Sequence, residues 1–245
     1  MNHPKISMLC AATLLLALPA AAQMGSPDYV PLKINQTVDP AYPQGLVDVG
    51  ITSGFASVAV SIDETGKLSD YLVIAYSHPR FAENAVGALT KWTFEPAQVH
   101  GSPRSCEADL TFRYEVRGVV VVSLTPFTSN ELIRYKIAPN ASAYSAVAPR
   151  QLDRLPTPRK IITPVYPMEL ARSSRGGHVS VDFYIDEEGH VRMPSVSLET
   201  DEANENLAAL AVTSVGQWEF EPPMSGGRPV VLLARQEFDF RPAKL

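Results

Sequence analysis

Hydrophobic and polar residues alternate along residues 57–63, where Val58, Val60 and Ile62 interleave with Ser57, Ala59, Ser61 and Asp63. The alternation returns along residues 179–186, where Val179, Val181, Phe183 and Ile185 interleave with Ser180, Asp182, Tyr184 and Asp186. Successive side chains of a strand point to opposite faces, so each run predicts a strand with one buried face. Asp-Glu-Thr-Gly (63–66) and Asp-Glu-Glu-Gly (186–189) follow. Asp suits the opening of a turn and Gly supplies the positive φ that closes it, which predicts two hairpins. Their return strands are expected through residues 72–76 and 196–198.

The period then changes to that of a helix. Phe81, Ala85, Ala88, Leu89 and Trp92 fall on one stripe, as do Leu207, Leu210, Ala211, Ser214 and Trp218. After each tryptophan the period is two again. Cys106, Ala108, Leu110, Phe112 and Tyr114 share one face, opposed by Glu107, Asp109, Thr111, Arg113 and Glu115. Val230, Leu232, Ala234, Gln236, Phe238 and Phe240 repeat that face near the C-terminus.

The landmarks therefore occur twice in the same order. "DPAYPQGL" (39–46) matches "TPVYPMEL" (163–170), "SIDETGKL" (61–68) matches "YIDEEGHV" (184–191), and "KWTFEPAQVHG" (91–101) matches "QWEFEPPMSGG" (217–227). The offsets are 124, 123 and 126 residues, and length changes of that size belong in loops. A duplicated unit of about 80 to 90 residues results, too long and in too few copies for a solenoid. In Trp-x-Phe-Glu-Pro the Trp is expected to close the helix stripe on the sheet and Phe to begin the return. Pro, which cannot donate to a ladder, bends the chain, and Gly101 or Gly227 turns it back. The motif reads as an architectural joint. "GVVVVSL" (118–124) has no counterpart in the second unit and could extend the first sheet or dock on the second. Residues 125–158 are rich in Pro, Ala and Ser and read as linker, with a possible short strand at residues 133–137.

A helix preceded by Pro-x-Tyr-Pro, a hairpin with Ile-Asp-x-x-Gly, a second helix and a Trp-x-Phe-x-Pro joint into a last strand together resemble the C-terminal domain of the TonB family. The resemblance covers residues 31–116 and 156–241. It implies an α+β fold of two tandem small domains, each an antiparallel three-stranded sheet with two helices on one face. The expected organisation is a signal peptide at 1–22, a first domain at 31–124, a linker at 125–155 and a second domain at 156–245. The family resemblance also implies periplasmic work, in which an edge strand pairs with a short peptide of an outer-membrane receptor. A TonB transducer has an N-terminal transmembrane helix and a long charged, Pro-rich spacer. Here a short apolar run and a linker of about 30 residues stand in their place, so the expectation is binding rather than direct energy transduction.

Composition narrows the partners. The 245 residues are 45% apolar and 19% charged, an ordinary globular balance. Lys5, an apolar run over residues 8–18 and Ala20-Ala21-Ala22 have the order of a secretory signal, with cleavage expected near Ala22. That run is short of the roughly 20 residues a bilayer core requires, so no membrane span is expected in the mature form. Loss of Lys5 leaves 20 Lys+Arg against 26 Asp+Glu, a net charge of −6, which disfavours nucleic acid. Cys106 then remains as a single thiol, unable to form an internal disulfide and expected to act as a small hydrophobe.

Catalytic and metal chemistry find little support, and no cofactor is expected. His178 and His190 bracket the second hairpin without facing one another, with His190 expected near Ile185 and His178 near Ser197. Asp63-Glu64 and Asp186-Glu187-Glu188 sit on hairpin tips, which are expected to be solvated, with their charges unshifted by burial. Gly176-Gly177 leads into a strand, not a helix, and so is no phosphate loop. Two non-catalytic readings remain. One is a protein- or peptide-binding module, with an outer-membrane TonB-dependent receptor as a possible partner. The other is a structural envelope protein that associates with peptidoglycan or self-assembles, for example as a homodimer through strand edges. Strand aromatics fall mostly on the buried face, which favours peptide over sugar polymer. The candidate edges are the last strands, with outward charges Glu107, Asp109, Arg113 and Glu115 in the first unit and Arg235, Glu237 and Asp239 in the second.

Overall fold

The computed structural model describes residues 29–116, 122–125, 143–165, 177–196 and 205–241. The sequence signal, the possible strand at 133–137 and the second Pro-x-Tyr-Pro helix lie outside these residues or largely so.

In the first unit β1 (Tyr29–Val30) and β2 (Lys33–Gln36) lead to a single-turn helix, α1 (Gln44–Val47). The long hairpin β3 (Ser53–Ile62) and β4 (Leu68–Tyr76) follows, then α2 (Pro79–Leu89). Beyond it come β5 (Thr93–Glu95), β6 (Ala97–Val99), β7 (Ser102–Arg104), β8 (Cys106–Glu115) and β9 (Val122–Thr125). A connecting strand, β10 (Tyr144–Ser145), precedes β11 (Pro158–Lys160). The second unit then repeats the plan: β12 (Gly177–Ile185), β13 (Val191–Val196), α3 (Glu205–Val215), β14 (Glu219–Phe220), β15 (Met224–Ser225), β16 (Arg228–Pro229) and β17 (Leu232–Phe240).

The main sheets are antiparallel, ordered β10-β4-β3-β8-β9 in the first unit and β13-β12-β17 in the second. The helix-facing residues are those the alternation selects. Val58, Val60 and Ile62 with Leu110 and Phe112 bury against Phe81, Ala85, Leu89 and Trp92. Val179, Val181, Phe183 and Ile185 bury against Leu207, Ala211, Val215 and Trp218.

The three repeated motifs meet at one end of each unit. Trp92 donates from Nε1 to the carbonyl of Val38 at 2.9 Å, and Trp218 to that of Ile162 at 2.7 Å, just before each Pro-x-Tyr-Pro segment. Each Trp lies in the turn beyond the helix, its N–H donating to Leu89 or Val215, rather than in the last helical turn itself. A Cβ on Gly66 would stand 2.3 Å from the carbonyl oxygen of Phe94, and one on Gly189 2.1 Å from that of Phe220. Both glycines have positive φ, so the hairpin turn and the joint can touch only with Gly there. The joint differs from expectation in one respect. Phe94 and Phe220 do not begin the last strand; they sit in short ladders with the strand ahead of each Pro-x-Tyr-Pro segment, β2 with β5 and β11 with β14.

Two strand boundaries also need correction. The second return strand is Val191–Val196, beginning immediately after the turn, and the first begins at Leu68. The β12–β13 ladder is offset between Asp182 and Tyr184, and the intervening Met193 has φ of 49°, unusual for a residue with a side chain. A bulge of this kind re-aims a side chain, and Met193 is buried between the units.

The segment expected to be linker is structured where it is described. Tyr144 and Ser145 pair with Tyr76 and Ala75, while Val147 bridges to Leu232. The helix-free faces of both sheets, read from the alternation as solvent faces, close on one another around it. Ala59 and Ile74 of the first sheet, Tyr184, Met193 and Val231 of the second unit, and Ala146 between them form a third buried cluster. Arg192 crosses this junction to Asp70, donating from Nε at 3.0 Å, and also holds the Tyr71 carbonyl at 3.2 Å.

Candidate functional site

The candidate site is the outer edge of the last strand, and the two units treat it differently. β8 is paired on both sides. β3 covers its whole length, and β9 covers the other side from Asp109 to Phe112. Residues 122–125, which begin within the valine-rich stretch, thus extend the first sheet, and the expected binding edge at Glu107, Asp109, Arg113 and Glu115 is occupied along its middle.

Those four residues are not one solvated row. Arg113 and Glu115 are exposed, opposite Phe55 and Ser53. Glu107 and Asp109 are half-buried, and Thr111 between them and Arg113 is buried, hydrogen bonded to Ser57 at 2.9 Å. Burial pushes the Glu107 carboxyl up from 4.5 to about 7. Asp109 faces the second unit: burial first, then the charges of Asp109 and Asp182, hold the Tyr184 phenol well above its usual range.

β17 has β12 on its inner side from Phe240 to Leu232, and among the described residues no strand pairs with its outer side past Leu233. Among the described residues only Val147 pairs with it, accepting from the N–H of Leu233 at 3.0 Å and donating to the carbonyl of Val231 at 2.8 Å. Backbone direction alternates along an antiparallel strand, so if Leu233 points outward then Arg235, Glu237 and Asp239 do as well. Val147 thus occupies the start of this edge, at Val231 and Leu233.

The side chains there only partly match expectation. Glu237 and Asp239 are exposed, opposite Ser180 and His178, and Asp239 pairs with Arg241 at 2.7 Å. Gln236 Nε2 donates to the Glu237 carbonyl at 2.8 Å, a bond an added strand would displace. Arg235 is not a free solubilising charge. Its guanidinium grips Asp182 with two hydrogen bonds, Nε at 2.7 Å and Nη2 at 3.2 Å, and that carboxylate is buried. The pair fixes β17 to β12 with bidentate geometry.

Other candidate chemistry is explained by turns. Asp63 Oδ1 accepts from Thr65 and Lys67, and the Thr65 hydroxyl followed by the Lys67 N–H holds its carboxyl below the usual range, through hydrogen bonding rather than burial. Asp186 is buried rather than solvated, and accepts from Glu188 and His190 in the same way. Ligand atoms of Asp186, Glu188 and His190 lie within 4.8 Å of one another, but the Asp186 carboxylate is already engaged by those N–H groups and by Arg192. His178 sits opposite Asp239, and its expected neighbour Ser197 lies outside the described residues. Cys106 is half-buried against the first core, and burial raises its thiol above the ordinary range, which suppresses the nucleophilic thiolate.

The chain thus holds two copies of one frame, each ending in a long last strand. The profile of the family described as Gram-negative bacterial TonB protein C-terminal matches residues 38–116 and 162–242, well over half of the chain. The chain belongs to this TonB C-terminal family, in two copies. Among solved structures it is similar to the solution NMR structure of the Pseudomonas aeruginosa TonB CTD, at 28% identity over 37% of this chain and 89% of that one, with a TM-score of 0.30. No curated protein matches the chain. The TonB C-terminal copies are mixed α/β with mostly antiparallel sheets, and no helix among the described residues is long and apolar enough to cross a membrane.

Sequence reasoning missed Val147, the packing of helix-free faces and the Asp182–Arg235 pair. The pair had a signal: Asp182 falls at a polar position in the middle of an otherwise buried strand, where a carboxylate needs a partner.

Proposed function

We propose that this protein is an exported periplasmic binding protein that captures an extended peptide segment by strand addition on the outer edge of β17, in support of TonB-dependent transport across the outer membrane. The carrying observation is that edge: a nine-residue strand, fully paired inward and, among the described residues, engaged outward only at its start by Val147. Backbone groups would supply affinity and the alternating side chains register. Residues 31–124 and 156–245 are its two modules, with 125–155 between them, and it works without catalysis. The first module serves as a scaffold, because β9 fills the equivalent edge and the second sheet packs on its helix-free face.

The test is selection of short peptides from a random displayed library, followed by affinity measurement on a Glu237→Pro variant. Proline removes one outward donor without emptying the core. The variant, shown to be folded by circular dichroism, is expected to lose the selected peptides, whereas Glu115→Pro in the first unit leaves them bound. Equal binding by Glu237→Pro would refute strand addition at β17.

A further inference from the structure

A cleft of about 770 Å³ opens where the two units meet, a size typical of ligand sites. One wall is β4 and α2, with Leu72, Val73, Ala82 and Val86 giving it an apolar surface. The facing wall is the second hairpin tip. Tyr144 closes one end, stacked on Tyr76 with ring centroids 5.3 Å apart at 20°. Among the described residues that line it the charge is one-sided: Glu83 on α2 and Asp186, Glu187 and Glu188 on the hairpin stand against a single cation, Arg192, for a formal balance of −3. Arg192 is itself held by Asp70 and by Asp186 at 3.4 Å. Glu83, Glu187 and Glu188 are exposed at the mouth, on both sides of the cleft.

We propose that this cleft binds a cationic peptide segment of a protein partner, with lysine or arginine side chains at the acidic rim and apolar side chains between them on the wall of α2 and β4. The aliphatic stems of Lys and Arg can lie on the apolar wall with their heads at the carboxylates, and the Tyr76–Tyr144 pair adds aromatic faces that attract cations. Carboxylates on opposite walls, separated by apolar surface, match a chain that alternates charge and hydrophobe. The site is distinct from the β17 edge and does not depend on it.

The test uses fluorescently labelled Lys-Leu-Lys-Val-Lys, with Glu-Leu-Glu-Val-Glu and Lys-Ser-Lys-Ser-Lys as comparison peptides, and anisotropy on the full chain. The first peptide is expected to bind, to weaken in about 0.5 M salt as screening grows, and to weaken at least about tenfold on Glu83→Gln/Glu188→Gln. Glu64→Gln/Glu115→Gln, which removes two exposed carboxylates elsewhere, and Glu237→Pro are expected to leave it unchanged. Equal affinity for the rim double variant would overturn the proposal, as would equal binding of the acidic peptide. Equal binding of the serine peptide, or equally effective displacement by spermidine, would show charge attraction without a peptide site and would also overturn it.

Discussion

At the same place in the two sheets, the first unit sets Ala59 opposite Asp109 and the second sets Asp182 opposite Arg235. In the first unit the carboxylate looks across at Tyr184 of the other copy; in the second it is satisfied within its own sheet. The edges differ correspondingly. β8 carries β9, whereas among the described residues β17 has only Val147 at its start. The joint of hairpin, Trp-x-Phe-Glu-Pro and preceding segment is nearly superimposable in its contacts, down to the Trp indole bond and the glycine touching a Phe carbonyl. Duplication has kept what holds a unit together and changed what its faces and edges meet. A backbone edge can be covered or left open without disturbing the helix-side core, because edge groups and core side chains point in perpendicular directions.

The largest expected effect tests the shared part. Trp92→Ala and Trp218→Ala should each cost about 3–5 kcal/mol, most of what a small domain has in reserve. Urea denaturation of both variants is the check, and a wild-type midpoint for either would mean the two joints are not equivalent.

Next is the part that diverged. Arg235→Ala leaves the buried Asp182 carboxylate without its guanidinium and should cost about 3 kcal/mol. The exposed Arg113→Ala on β8 should stay within about 0.5 kcal/mol of wild type. Comparable losses in the same denaturation experiment would deny the asymmetry.

A smaller effect is confined to the first unit. Glu107 titrates at about 7 when folded against 4.5 as its ordinary value. The folded state therefore holds its proton more tightly, and its contribution to stability is present below about 4.5 and is lost as pH rises through about 7. Glu107→Gln should flatten that portion of the stability–pH curve, as read from melting between pH 4 and pH 8. The equivalent position on β17 is Leu233, which has no charge to lose.

Much of this fold is legible in the sequence because a period of two and a stripe of 3.6 each report one buried face. Val58 and Val181, Phe81 and Leu207 go where their spacing sends them. The second face is another matter. Ser57, Ala59, Ser61, Asp182 and Tyr184 have the small or polar character of solvent-facing positions, yet Ala59 and Tyr184 are buried against each other's units. Alternation says which residues share a face, not what will cover it. Tyr144–Val147 carries no periodic signal at all, since two to four residues of ladder are too few to show one. The candidate edge on β17 was readable from its length and charges, while the loss of the β8 edge depended on where 122–125 would pair.

Strand addition at β17 is tested most directly by amide hydrogen exchange, resolved by residue, on the protein with and without a peptide selected for binding. The expected result is new protection at Arg235, Glu237 and Asp239, the outward-pointing positions, with no change at Ala234, Gln236 and Phe238, which face β12. Binding that leaves all three outward amides exchanging as before would contradict it.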